Sequence, residues 1–238
     1  MDFSQFRCLT FDCYGTLIDW EQGILGALRP ILQSHGERRS DAEVLRAYAD
    51  LEARLEAGEY RSYRIILEDI VSGMGEHFGF KPSQEEIRSL PESLPDWEPF
   101  PDTRAALQAL HTRYQLAIIS NTDDDFFAAT AKKLGVKFDF VITAQQARSY
   151  KPSLNNFRMA IERIGLPAGK ILHVGQSVFH DVVPAKSLGL ATVWVTRRRV
   201  KEGIAATLPA SGQPDLEVPD LKTLADTAGV NDRAMQPL

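Results

Sequence analysis

Short apolar runs recur along the chain, and longer stretches with apolar residues at every third or fourth position separate them. The runs predict buried parallel strands at Cys8–Phe11, Leu116–Ser120, Ile171–Val174 and Ala191–Val195, with FDFVIT (138–143) as a fifth candidate. The stretches between them carry helix signals: Asp102 is a predicted N-cap, and the helix after Ser153 should end at Gly165. This alternation predicts a Rossmann-like α/β fold, an open parallel sheet with helices on both faces.

The alternation stops after the first strand. Residues 21–99 contain amphipathic helical segments, such as SDAEVLRAYADLEARLEAG and YRSYRIILEDIVSGMGEHFG, and no convincing strand. Four prolines between Pro91 and Pro101 mark the end of this stretch. We interpret 20–99 as a helical cap subdomain inserted into a core domain made of 1–19 and 100–238, and we expect the last residues, VNDRAMQPL, to be frayed.

Composition narrows the possible partners and the compartment. The chain has 238 residues and a net charge of −5, which argues against a surface for nucleic acid or an anionic membrane. It has no 18-residue apolar run and no secretory signal pattern at its start. Its two cysteines, Cys8 and Cys13, lie in or beside the first strand, so a bridge between them is not expected. These features predict a cytoplasmic protein.

Four polar motifs follow predicted strands or precede a helix, at the sheet edge where ligands bind in open parallel sheets. FDCYGTLIDW presents Asp12 directly after the first strand and Thr16 behind a glycine. Ser120-Asn121 follows the second run, Lys151 lies in SYKPS, and GQSVFHD ends in Asp181. Each motif is weak alone, but together they predict an active site with a carboxylate nucleophile, a hydroxyl, an ammonium and a second carboxylate.

The same residues can also be interpreted as structural, without a role in catalysis. Asp12 could be a turn carboxylate and Lys151 a surface lysine, and Ser120-Asn121 could cap the following helix. The acidic run 123–125 reads most simply as charge in the first turn of a helix.

Histidines and arginines near these motifs leave further choices open. His173 reads as a satisfied core histidine, and His180 as either a partner of the site or a structural hydrogen-bonding group. The arginines 197–199 read as a solvated loop.

Taken together, the motifs resemble those of the haloacid dehalogenase superfamily, specifically its L-2-haloacid dehalogenase branch, over essentially the whole chain. TFDCYGTLIDW, FPDT, ITAQ and SYKP are also similar to hydrolases that open azetidine-2-carboxylate. The resemblance implies a core of this superfamily with Asp12 as nucleophile, Thr16 and Ser120 as hydrogen-bonding partners, Lys151 as charge partner and Asp181 as the carboxylate on the side of the base.

The resemblance also implies substrate-binding residues. We predict Tyr14, Ser120 and Asn121 for this role. The dehalogenases place a cap arginine near the leaving group, and Arg46 is the candidate here, with Arg54, Arg61 and Arg64 as rivals.

Two departures from the phosphatase branches of the superfamily bear on the reaction. Tyr14 stands where those enzymes have an acidic Asp that protonates an alkoxide, and Gln176 stands where they have an Asp that holds Mg²⁺. Halide leaves without a proton, and a strained ring amine can bring its own. Both departures therefore favour substitution at carbon.

Three functions remain open at this level. The first is an (S)-2-haloacid dehalogenase acting through an Asp12 ester, the second a hydrolase that opens a cyclic amino acid at its C–N bond, and the third a Mg²⁺-dependent phosphatase. We expect no metal or other cofactor outside the third. The expected partner is a small carboxylic-acid substrate, with no nucleic acid and no membrane, and the resemblance implies a homodimer.

Overall fold

A computed structural model of the chain describes residues 1–197 and 210–230. Within those ranges, six parallel strands form one sheet in the order β3-β2-β1-β4-β5-β6. The strands are β1 (Cys8–Phe11), β2 (Gln115–Ser120), β3 (Phe140–Thr143), β4 (Ile171–Gly175), β5 (Ala191–Val195) and β6 (Leu216–Val218).

The sheet confirms the α/β prediction and its strands. Two predicted runs match β1 and β5 at both ends, and β2 and β4 differ from the prediction by one residue. The candidate at 138–143 forms β3 over its last four residues. The edge strand β6 was missed because it has only three residues, and the central one is the polar Glu217.

Side chains alternate across the sheet and feed two apolar layers. On β2, Leu116 and Ile118 pack into the larger layer, whereas Ala117 and Ile119 pack into the smaller one. Successive side chains point to opposite faces of the sheet, and helices cover both faces. The run is therefore apolar throughout.

Helices α1 to α4 lie between β1 and β2 in sequence, in the segment 20–99 that we interpret as an inserted cap and call the cap below. They are α1 (Trp20–Ser34), α2 (Asp41–Glu56), α3 (Tyr63–Phe78) and α4 (Gln84–Ser93). Helices α2 and α4 begin with capping boxes, Ser40 with Glu43 and Ser83 with Glu86, in which each partner satisfies a backbone N–H of the other.

The remaining helices cover the sheet. They are α5 (Thr103–His111), α6 (Asp124–Leu134), α7 (Ala144–Ala147), α8 (Leu154–Ile164), α9 (Val183–Ser187) and α10 (Leu221–Thr227). Ser153 caps α8, and Gly165 ends it in the left-handed conformation, both as predicted. Cys8 and Cys13 are buried free thiols, as expected.

Two charged residues have partners that the sequence did not indicate. Asp102 is the N-cap residue of α5, as predicted, but its carboxylate makes no cap hydrogen bond to that helix. It accepts instead from Arg197 Nη1 at 2.8 Å and from the backbone N–H of Leu221 at 2.7 Å. Arg197 is 8% exposed, so the prediction of a solvated loop is wrong for this residue. Its charge can be buried because Asp102 neutralises it. Arg198, Arg199 and the predicted frayed end 231–238 lie outside the described residues.

No helix within 1–197 or 210–230 combines the length and the apolar composition that crossing a bilayer requires.

Candidate active site

The strand order brings the predicted motifs to one place. Strand β1 lies between β2 and β4, so the residues after Phe11, Ser120 and Gly175 meet at the carboxyl edge of the sheet. They line a cavity of about 40 Å³, which side chains of the inserted helices also line.

Asp12 is held in this cavity by one donor on each carboxylate oxygen. Lys151 Nζ donates to Oδ1 at 2.8 Å, and Thr16 Oγ1 donates to Oδ2 at 2.7 Å. The backbone N–H of Gln176 donates to Thr16 Oγ1 at 2.9 Å, which fixes the hydroxyl. Burial raises the pKa of Asp12 above its ordinary value, and the Lys151 ammonium opposes this rise.

Lys151 bridges two carboxylates. Its Nζ also donates to Asp181 Oδ1 at 2.7 Å, and its side chain is 2% exposed. Burial alone would lower the pKa of Lys151, but the charges of Asp12 and Asp181 hold it above its ordinary value. The surface-lysine interpretation is therefore wrong.

Asp181 is fully buried and has three donors. Besides Lys151, these are His173 Nε2 at 3.3 Å and the backbone N–H of Ser177 at 3.2 Å. Burial alone would raise the pKa of Asp181, but the Lys151 charge and the His173 hydrogen bond hold it well below its usual range. The side chain therefore carries its negative charge at neutral pH.

His173 has a larger role than the sequence indicated. Its Nδ1 bonds with Thr10 Oγ1 at 2.8 Å, which leaves Nε2 facing Asp181. A histidine inside a strand gives no sequence signal for this contact, because its partner lies on the π-helical turn Val178–Val182 that follows β4.

Two glycines make the close packing possible. Gly15 has a φ of +94°, and a Cβ there would lie 2.9 Å from Trp20 Nε1 and 3.2 Å from Gln176 Oε1. A Cβ at Gly175 would lie 2.5 Å from the carboxyl group of Asp181. Any larger residue at Gly175 would displace that carboxylate.

The predicted substrate-binding residues of the core differ in what they offer. Ser120 is fully buried, and in the described part of the chain no group bonds to its Oγ. Asn121 does not cap a helix; its Oδ1 accepts from the Lys151 backbone N–H at 2.7 Å, and its Nδ2 donates to Glu56 Oε2 at 3.1 Å. The Tyr14 hydroxyl bonds with Thr130 at 2.9 Å, so Tyr14 lines the cavity without a free hydroxyl.

The inserted helices contribute carboxylates in place of the predicted arginine. Trp20, Glu52, Glu56 and Tyr63 line the cavity from this side, and Arg46 is exposed. Successive residues of a helix are rotated by about 100°, so Arg46, two residues before Tyr48, lies about 200° away from it and on the opposite face of α2. Glu52 and Glu56 follow Tyr48 at four-residue steps and therefore lie on the same face as Tyr48, the face that lines the cavity. The prediction of Arg46 is therefore wrong. Arg54, Arg61 and Arg64 do not line the cavity either.

Comparison with known proteins identifies the family. The profile of haloacid dehalogenase-like hydrolases matches residues 6–189. This chain belongs to the haloacid dehalogenase-like hydrolases.

Relatives of this hydrolase include dehalogenases. It is 27% identical over 199 residues to haloacetate dehalogenase H-2 of Moraxella sp. (strain B), covering 81% of this chain and 87% of that one. It is 24% identical over 230 residues to the (S)-2-haloacid dehalogenase of Pseudomonas sp. (strain YL), covering 95% of each.

Solved structures agree with the fold of this hydrolase. The L-2-haloacid dehalogenase from Xanthobacter autotrophicus with chloropropionic acid covalently bound has a TM-score of 0.78 at 20% identity, over 97% of this chain and all of that one. The closer similarity to azetidine-2-carboxylate hydrolases stays a prediction.

Three further residues of the hydrolase line the cavity beside Asp181: Gln176, Ser177 and His180. Burial lowers the pKa of His180 to about 4, so its ring is neutral at pH 7 and can orient a water molecule.

The acidic run of this hydrolase joins the core to the inserted helices. Asp123 is 4% exposed, and its two oxygens accept the backbone N–H groups of Tyr63 and Arg64, each at 3.0 Å. The carboxylate thus occupies the N-terminus of α3, where Ser62 makes no cap hydrogen bond. The interpretation of Asp123 as first-turn charge of its own helix is wrong.

The side chains of the site also bear on whether it could hold a metal ion. Across 1–197 and 210–230, no three His, Cys, Asp or Glu side chains are grouped so that they could hold a metal ion. Asp12 and Asp181 face the same ammonium, and Gln176 adds a neutral amide.

Proposed function

We propose that this chain hydrolyses a small 2-substituted carboxylic acid by nucleophilic substitution at carbon, with Asp12 as the nucleophile. The observation that supports this best is the setting of Asp12. Its carboxylate lines a small cavity between the sheet and the inserted helices, is oriented by Lys151 and Thr16, and shares the cavity with Asp181. The proposal requires no metal ion, because Lys151 supplies the positive charge between the two carboxylates.

In the first half-reaction an Asp12 oxygen attacks the 2-carbon of the substrate. The bond to the leaving group breaks, its electron pair departs with that group, and Asp12 becomes an ester. Ser120 Oγ has no hydrogen-bond partner among the described residues and would hold the substrate carboxylate. Closure of the inserted helices over a bound substrate would strengthen an ionised nucleophile by removing its water.

In the second half-reaction water attacks the carbonyl carbon of the Asp12 ester. Asp181 and His180 line the cavity and would orient this water. The product leaves with an oxygen of Asp12, and the solvent oxygen stays in the Asp12 carboxylate.

Halide is the first candidate for the leaving group. It is supported by the (S)-2-haloacid and haloacetate dehalogenases among the relatives and by the Xanthobacter enzyme with chloropropionic acid covalently bound. Opening of a strained cyclic amine at its C–N bond is the second candidate. The carboxylates that the inserted helices place over Asp12 favour it.

The test is a single turnover in ¹⁸O-water with excess enzyme. The substrate is the one that reacts among chloroacetate, (S)-2-chloropropionate, azetidine-2-carboxylate and a generic phosphate ester, each assayed with and without EDTA. We expect ¹⁸O in the peptide that carries Asp12 and none in the first product. Label in the first product would mean direct attack by water, and EDTA-sensitive release of phosphate alone would overturn the proposal.

Two variants separate the half-reactions. Asp12→Asn should abolish turnover, whereas Asp50→Asn, an exposed position on α2, should leave it unchanged. In Asp181→Asn, Lys151 has Asp12 as its remaining carboxylate partner, so the ester still forms but is hydrolysed more slowly. Mass spectrometry should then find a trapped adduct on Asp12. Normal turnover in Asp12→Asn would contradict the proposal.

A further inference from the structure

The inner face of α2 places two carboxyl groups over the nucleophile. Glu52 is 5% exposed, and its Oε1 accepts from the hydroxyls of Tyr48 at 2.9 Å and Tyr63 at 2.8 Å. These hydroxyls also lie 3.0 Å from each other, so the three side chains form a closed network. This network fixes the position of Glu52 in a wall of the cavity.

Glu56 lies one turn further along the same face. Its Oε2 accepts from Asn121 Nδ2, which ties it to the core. Its Oε1 is buried, and within the described ranges no group donates to it. A buried carboxylate oxygen without a donor costs free energy unless a ligand supplies the donor.

The charges around the cavity are unbalanced. Its lining includes four carboxyl groups, from Asp12, Asp181, Glu52 and Glu56, and among the described residues Lys151 is its one cation. Lys151 is already shared between Asp12 and Asp181. Burial raises the pKa of Glu52 to about 7. Burial and the neighbouring Glu52 hold the pKa of Glu56 well above its ordinary value, although the Lys151 charge opposes this rise.

A polar group at the other end of the cavity also lacks a partner. Ser120 is fully buried and lines the cavity from the core side, where its hydroxyl bonds to nothing in the described chain. The cavity thus has an unpartnered hydroxyl on the core side and an unpartnered carboxylate oxygen on the cap side. A ligand that satisfies both has an anionic and a cationic end only a few atoms apart.

We propose that Glu52 and Glu56 form a subsite for a protonated nitrogen, so that the substrate is a small 2-amino acid held between Ser120 and these two carboxylates. This rests on the proposed function and selects its second candidate, opening of a C–N bond, because the nitrogen is then bonded to the carbon that Asp12 attacks. Asp12, Glu52 and Glu56 line the same cavity of about 40 Å³. A 2-haloacid, in contrast, brings a further negative charge and leaves Glu56 Oε1 without a donor.

The subsite agrees with opening of a strained ring. As the Asp12 oxygen bonds to carbon, the C–N bond breaks and its electron pair goes to nitrogen. The nitrogen enters as an ammonium and becomes a neutral amine that stays attached to the product, so no acid is needed to break the bond. The absence of an acidic residue at Tyr14 is then no obstacle.

A matched pair of unreactive ligands tests the subsite. L-Alanine and isobutyrate have the same shape, and an ammonium in the first replaces a methyl group in the second. We expect isothermal titration of the full chain at neutral pH to show L-alanine binding at least about tenfold more tightly, the ratio that one charge-assisted hydrogen bond supplies. Equal binding, tighter binding of isobutyrate, or no binding of L-alanine at its highest soluble concentration would overturn the proposal.

Variants assign the preference to residues. Glu56→Gln and Glu52→Gln should each reduce the preference for L-alanine, and the double variant should abolish it. Asp50→Asn makes the same carboxyl-to-amide change on the exposed face of α2 and should leave the preference intact. Thermal melting identifies variants that do not fold; Glu56→Gln is the less disruptive change, since Glu56 is only partly buried. A preference that persists in folded Glu56→Gln and in folded Glu52→Gln would contradict the assignment.

The two proposals can fail separately. Labelled Asp12 together with no preference for L-alanine would leave the Asp12 chemistry standing and remove the subsite. A preference for L-alanine without label in Asp12 would do the reverse.

Discussion

Lys151 is the residue on which the charges of the site depend. It lies at the carboxyl edge of the sheet with its ammonium between Asp12 and Asp181, and all three side chains are buried. Of the two carboxylates, Asp181 has further donors in His173 and the backbone of Ser177, whereas in the described part of the chain Asp12 has Thr16 alone. Loss of the ammonium would therefore place a proton on Asp12 before Asp181.

This asymmetry predicts a pH effect. In the proposed reaction Asp12 attacks as a carboxylate, so kcat/KM should rise with pH through the Asp12 pKa, which burial raises and Lys151 lowers. In Lys151→Gln the opposing charge is gone, and the rising limb should move to higher pH by about 1 to 3 units. Profiles of kcat/KM against pH for the wild type and this variant measure the shift.

Lys170→Gln is the control for this experiment, because Lys170 is exposed and away from the site. Its profile should match the wild type. An unmoved limb in Lys151→Gln would mean that the limb reports a group other than Asp12.

At the scale of elements, the join between α3 and the core decides how the cavity is closed. The first turn of α3 offers two backbone N–H groups that no residue of the cap itself accepts, and Asp123, just after β2, accepts both. Asn121, two residues earlier, bonds to Glu56 at the end of α2. One short segment of the core thus holds two helices of the cap.

Asp123→Ala should therefore destabilise the protein. It removes a buried carboxylate from a helix N-terminus and leaves two N–H groups without acceptors, which costs about 1 to 2 kcal/mol. Urea denaturation measures the loss.

Asp125→Ala is the matched control, since Asp125 forms an exposed ion pair with Arg64 at 2.8 Å and should contribute less than about 1 kcal/mol. Equal losses in the two variants would show that the Asp123 contact does not stabilise the closed arrangement.

Across the whole molecule, Arg197 joins segments that are far apart in the chain. Its guanidinium donates to both oxygens of Asp102 and to the carbonyl oxygen of Thr16, and it lies 4.0 Å from the centre of the Phe100 ring. Asp102 also accepts the Leu221 N–H at the start of α10. The loop that carries Asp12 is thus anchored to the start of α5 and to the last described helix.

Arg197→Met should destabilise the protein by about 3 kcal/mol or more, because it leaves Asp102 largely buried without its partner charge. Chemical denaturation is the measurement.

Lys222→Met breaks an exposed pair with Asp226 on α10 and should cost little by comparison. A loss in Arg197→Met no larger than in Lys222→Met would mean that the Asp102 pair contributes little to stability.

The sequence by itself determined the strands and the core half of the site. Buried strands are apolar on both faces, so β1, β2, β4 and β5 were readable as runs, and parallel order brings the residues after them to one edge. Asp12, Thr16, Ser120, Lys151 and Asp181 were found in this way and lie together.

Only the tertiary structure decided what faces these residues. A side chain on an amphipathic helix can be assigned to a face, but the sequence does not say which face meets the nucleophile. Arg46 was chosen by resemblance and is exposed, although the four-residue spacing of Tyr48, Glu52 and Glu56 was a signal for the true inner face. The sequence did not predict the roles of His173, Asp123 and Arg197 either. Each of these residues bonds to a partner that is distant in sequence or lies on another element, and local sequence patterns carry no information about such pairs.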